Sequence, residues 1–137
     1  MARRAADCKQ SEELARRVPW LSKEPDEKQR EEITAIMSRI NDLPFDLRAT
    51  PLTTVALYLY ELAPGLRLNA FHGIIDAAVQ AARDHAAFEG RMSARGITRD
   101  PLAPENWATL RSTLEYQLGR FPEAERESAS EALRLLG

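Results

Sequence analysis

Eight prolines cut this chain into pieces of helical length, and they constrain its fold more than any other feature. Proline is tolerated in the first turn of a helix but not in its interior, and it pushes the preceding residue toward extended backbone. Each proline therefore marks a boundary. After Pro25, the segment DEKQREEITAIMSRINDL places Ile33, Ile36, Met37, Ile40 and Leu43 at i, i+3, i+4, i+7 and i+10, an amphipathic helix that Pro44 stops. Its first turn carries Asp26 and Glu27, where the positive end of the helix dipole favours acids. Residues 2–17 are rich in helix formers with a thin apolar stripe of Ala5, Leu14, Ala15 and Val18. They predict an N-terminal helix, loosely docked over 1–18 and ended by Pro19.

Residues 52–63, LTTVALYLYELA, are ambiguous by content alone, because VALYLY could alternate as a strand. A strand needs a partner, and the chain holds no second period-2 run and no Asn-Gly or Asp-Gly hairpin. Thr50-Pro51 reads as a helix start and Pro64-Gly65 as a stop, so a helix over 51–62 is expected. Its stripe would be Leu52, Val55, Ala56, Leu59 and Leu62, with Leu57, Tyr58 and Tyr60 elsewhere around the cylinder. The next segment, 67–94, forms the longest helix candidate, roughly 40 Å, with Gly73 and Gly90 as weak points. At about 100° per residue, Phe71, Ile74, Ile75, Ala78, Ala81, Ala82 and Met92 share one side. Beyond the connection ITRDPLAP, Trp107, Leu110, Leu114, Leu118 and Phe121 mark one helix, and Ala129, Ala132, Leu133 and Leu136 another. They pair as a hairpin across Gly119 to Pro122.

This hairpin resembles the turn and second helix of a tetratricopeptide repeat at Gly119, Phe121, Glu123, Ala124, Ala132, Leu133 and Leu135, with one residue inserted before Ala132. The likeness spans residues 116–135, the residues before it do not hold the repeat's first-helix register, and there is no second copy to stack on. It implies a generic helical hairpin, and no peptide-binding residues are carried over from it.

The expected architecture is all-α: one domain over 1–137, a bundle of five or six helices with a long central helix and a C-terminal hairpin. The 137 residues suffice for a single core, and 44% apolar with 29% charged residues is the balance of a globular chain. A formal charge of -2 argues against a broadly electrostatic nucleic-acid binder and leaves room only for a local basic patch. With Cys8 as the only cysteine, no apolar leader and no run long enough to span a bilayer, the expected setting is the cytoplasm, with no membrane contact. Sixteen of the nineteen basic residues are arginine, which suits bidentate anion recognition and equally reflects a GC-rich genome.

Several groups of residues are candidates for function. His72 and Asp76, at i, i+4, could form a base and its orienter, although no nucleophile accompanies them in sequence. Two histidines projecting in different directions give no metal site, and no cofactor motif is present. Arg83, Arg91, Arg95 and Arg99 would suit phosphate contact, or serve only as cations at a helix C-terminus. Leu57, Tyr58 and Tyr60, together with Trp20 and His85, are candidates for a protein interface: a helix over 51–62 is apolar around nearly its whole circumference and must be enclosed by its own chain or by a partner. The expectation is a non-enzymatic interaction protein, a subunit, adaptor or regulator that binds a protein partner or itself. The alternatives are an accessory subunit contacting nucleic acid and, third, an enzyme using the His/Asp pair.

Overall fold

The computed structural model describes residues 2–94 and 104–136. Among these there are six α-helices and no strand, in a single all-α domain. They are α1 (Ala2–Arg17), α2 (Asp26–Asp42), α3 (Ala49–Leu57), α4 (Pro64–Ala94), α5 (Pro104–Leu118) and α6 (Glu123–Arg134). Short 3-10 segments follow α1 (Val18–Lys23), α2 (Phe45–Leu47) and α3 (Leu59–Glu61).

The proline reading describes these boundaries well. Pro25 and Pro122 immediately precede α2 and α6, and Pro104 opens α5. Pro64 acts as the first residue of α4 as well as the stop of the preceding segment, so the long helix begins three residues earlier than its periodicity suggests. A proline at that position gives up only an N–H that has no partner in the helix. α4 continues without interruption through Gly73 and Gly90.

The core forms around α3, which is covered by α1, α4 and α5, while α4 also packs against α2 and α6. The stripes lie inward as their spacing demands: Ile33, Ile36, Ile40 and Leu43 from α2 and its exit, Phe71, Ile74, Ile75, Ala78 and Ala81 from α4, and Leu110, Leu114, Phe121, Ala129, Ala132 and Leu133 from the hairpin. Ala82 is exposed, and the side chain of Met92 lies outside the described residues. In the second half of α1 Leu14 is buried and Ser11 donates to the Leu47 carbonyl at 3.0 Å, and Val18 just beyond it is buried.

Three buried polar side chains tie the connections together. Gln29 donates to the Glu24 carbonyl at 2.9 Å and accepts from the Ala63 N–H at 2.9 Å, fixing the entry to α4 against the entry to α2. Arg48, 7% exposed, donates from Nε to the Leu43 carbonyl at 2.8 Å and from Nη1 to Asp84 Oδ2 at 2.9 Å. The third, Gln117, shapes the surface described next.

Candidate functional site

The expected helix over 51–62 is not continuous. α3 ends at Leu57, and the chain tightens into a 3-10 turn over Leu59–Glu61. Glu61 N–H, which would have bonded the Leu57 carbonyl in an α-helix, bonds the Tyr58 carbonyl at 2.9 Å. A helix that stops leaves its last carbonyls without partners. Here Gln117 supplies them from α5: its side-chain amide donates to the Ala56 carbonyl at 2.9 Å and to the Leu57 carbonyl at 3.1 Å. Gln117 is 1% exposed, and the small side chain of Ala56 leaves room for the approach. Two threonines on α3, Thr53 and Thr54, turn their hydroxyls back to the carbonyls four residues earlier, a contact that slightly weakens a helix.

The break divides the apolar circumference that made this segment difficult to enclose. Leu52, Val55, Ala56, Leu59 and Leu62 are all buried, as the stripe predicts. Leu57 instead stands 60% exposed, and Tyr58 and Tyr60 are half-buried. The segment is thus both core and surface.

Tyr60 organises that surface. The Arg67 guanidinium carbon lies 4.3 Å from its ring centroid and that of Arg120 lies 4.1 Å away. On the inner side, Phe121 meets Tyr60 edge-on at 5.9 Å and Phe71 meets Phe121 edge-on at 5.3 Å, so the ring is anchored to the core aromatics. The Tyr60 hydroxyl is buried and has no hydrogen-bond partner among the described residues. Arg67 donates to the Leu62 and Tyr60 carbonyls at 3.1 and 3.0 Å, capping the 3-10 turn. Arg120 makes only a long bond, 3.4 Å, to Gln117 Oε1, and its guanidinium carbon also lies 6.0 Å from the ring centroid of Tyr116. Tyr116 is 69% exposed. Among the described residues neither arginine is paired with a carboxylate, although Glu61 follows Tyr60 in the chain.

The other candidates are scattered. Trp20 is exposed in the 3-10 segment after α1 with the Lys23 ammonium 4.4 Å from its ring centroid. His85 is half-buried on α4, its ring 5.3 Å from that of Phe45, at one wall of a cleft of about 390 Å³ shared with Trp107, Arg111 and Leu136. Arg83 and Arg91 are exposed on α4, whereas Arg95 and Arg99 lie outside the described residues. His72 does not bond Asp76. Its Nε2 instead lies 3.1 Å from Ser128 Oγ on α6. Ser128 sits exposed in mid-helix, where the neighbouring backbone N–H groups are committed to the helix and cannot converge on a developing oxyanion. Among the described residues no group of three or more metal-ligating side chains is found, and no helix is long and apolar enough to cross a membrane.

Arg67, Tyr116, Gln117 and Arg120 escape a reading of periodicity. Gln117 had a local signal, being a polar residue seven positions after Leu110 and three after Leu114, on the buried side of α5. The two arginines had none: Arg120 lies sixty residues from Tyr60, and Arg67, only seven residues on, is set across a helix start that no periodicity links to the ring. No protein-family model, no curated protein and no solved structure matches this chain.

Proposed function

We propose that this chain is a non-enzymatic helical interaction protein, a subunit, adaptor or regulator, that binds another protein through the surface at the end of α3. The observation that carries this reading is the convergence of Arg67 and Arg120 on Tyr60, with Arg120 also 6.0 Å from the ring centroid of exposed Tyr116 and exposed Leu57 three residues before Tyr60 in the chain. Tyrosine and arginine dominate the energetics of protein interfaces because they combine large apolar area with directed polar contacts at modest entropic cost. The backbone beneath them is held by Gln117, so a partner meets a preorganised surface and loses less affinity to ordering it. With a single cysteine, a reducing cytoplasm is the setting that suits this role.

Affinity capture with the full chain tests the proposal. A partner retained by the wild type and by Trp20→Ala, but lost from Leu57→Asp and from Tyr116→Ala, is the expected result. Equal retention by all four chains overturns it. Light-scattering mass in the same preparations, read against 15.4 kDa, shows whether that partner is a second copy. Nucleic acid that co-purifies and is lost from Arg83→Glu or Arg91→Glu would favour phosphate contact along α4 instead.

A further inference from the structure

The chemistry of the same surface specifies its partner more closely, and this step rests on the interaction reading above. Arg67 and Arg120 bring two positive charges to one tyrosine ring in a chain whose net charge is -2. Elsewhere, two arginines that meet another element are neutralised within the chain, Arg17 by Glu32 and Arg48 by Asp84; Arg111 pairs with Glu115 along its own helix, and Arg126 caps the Phe121 carbonyl alone. Arg83 and Arg91 also lack a carboxylate partner among the described residues, but each stands singly on an exposed face of α4. What distinguishes the Tyr60 site is convergence. Two guanidiniums share one ring, and among the described residues no carboxylate compensates them.

From this convergence we infer that the site binds an acidic linear segment of a partner protein, with carboxylates of that segment engaging Arg120 and Arg67 and a neighbouring apolar side chain resting on Leu57 and Tyr116. The division of labour follows from the bonds each arginine already makes. Arg67 spends Nε and one Nη2 hydrogen on backbone carbonyls, so it is fixed in place and offers its remaining hydrogens. Arg120, with a single long bond, keeps most of its donor fork open for bidentate capture of a carboxylate. Contact with the π-face of Tyr60 pre-orients both guanidiniums without neutralising them. Single-stranded nucleic acid, the other anion that pairs arginine with aromatic rings, needs open ring faces on which bases stack. The guanidiniums already cover Tyr60, which leaves Tyr116 alone for stacking.

Fluorescence anisotropy on the full chain, with three labelled probes of equal length, tests this inference. One is a peptide of glutamate, leucine and phenylalanine, the second replaces each glutamate with lysine, and the third is single-stranded RNA. The wild type should prefer the acidic peptide to the basic one by about tenfold or more, and added salt should weaken binding. Arg120→Glu should remove about tenfold of that affinity, Tyr116→Ala should lower it as well, and circular dichroism should report unchanged helicity. No preference for the acidic probe, or unchanged binding in Arg120→Glu, overturns the inference. Tighter binding of RNA that depends on Arg120 and Tyr116 overturns it in favour of nucleic acid. If the acidic probe fails while Leu57→Asp still releases a captured protein, the interaction reading stands and only its acidic chemistry falls.

Discussion

Two arginine sites in this molecule begin from the same side chain and end differently. At the turn between α2 and α3, Arg48 is buried and closed: one carbonyl, one carboxylate and the surrounding helices account for its charge. At the end of α3, Arg67 and Arg120 converge on Tyr60 with carbonyl and amide partners but no carboxylate. A buried guanidinium without an anion is costly, so the Arg48 site exists only because Asp84 completes it. The Tyr60 site is partly solvated and tolerates an open charge. The first is architecture, and the second keeps guanidinium donors that no carboxylate of the described residues takes up.

The closed site should give the largest effect. Arg48→Met removes the donors that hold the Leu43 carbonyl and Asp84, and should lower unfolding stability by about 3 kcal/mol in urea denaturation, toward the lower end for breaking a buried pair because Asp84 is partly exposed. Asp84 adds a pH signature. Its carboxyl is held below its ordinary value by the Gln80 amide and, secondarily, by Arg48, against the opposing effect of burial. A carboxyl depressed in the folded state contributes stability above its unfolded value and loses it as pH falls through the folded one. The stability gap between wild type and Asp84→Asn should therefore be full near neutral pH and shrink as pH falls below about 3.8. A gap that does not change with pH would mean that neither the Gln80 amide nor Arg48 holds the Asp84 carboxylate, and the closed site would lose that support.

Next in size is the joint between core and surface. Gln117→Ala leaves the Ala56 and Leu57 carbonyls without their partner and opens space on the buried side of α5, which should cost about 2 kcal/mol. Arg120→Ala, three residues further on in the turn after α5 and on the open side, should cost about 0.5 kcal/mol, the scale of an exposed cation–π contact. If thermal unfolding shows Arg120→Ala losing as much as Gln117→Ala, Arg120 is structural and the open site is closed after all.

The sequence carried most of the fold, because prolines and helical stripes act locally. Pro25, Pro64, Pro104 and Pro122 sit where helices begin, and of the α2 stripe Ile33, Ile36, Ile40 and Leu43 are buried with Met37 partly so. The break after Leu57 was not legible, since it depends on an amide that arrives from α5, some sixty residues later in the chain. The candidate surface was legible in part for the same reason. Leu57 and Tyr60 declared themselves as apolar residues that one helix face could not absorb, whereas Arg120 carried no sign of Tyr60 until the fold brought it there, with Tyr116 on its other side. Of the arginine series, Arg83 and Arg91 stand exposed on α4, and Arg95 and Arg99 lie outside the described residues, so that reading rests on spacing alone.

The smallest effect is also the sharpest test of how Tyr60 is held. Its hydroxyl is buried and meets no partner among the described residues, so the ring is retained by its π-face and edge contacts alone. An unsatisfied buried hydroxyl is a liability, and its removal relieves a desolvation cost without losing a bond. Tyr60→Phe should then leave unfolding stability unchanged or raise it by up to about 1 kcal/mol, while the phenylalanine ring continues to receive both guanidiniums. Binding of the acidic probe should survive for the same reason. A loss of more than about 1 kcal/mol in urea denaturation would show that the hydroxyl is bonded in solution. The ring would then be fixed by its polar end, and the two arginines would be neighbours of Tyr60 rather than its clamps.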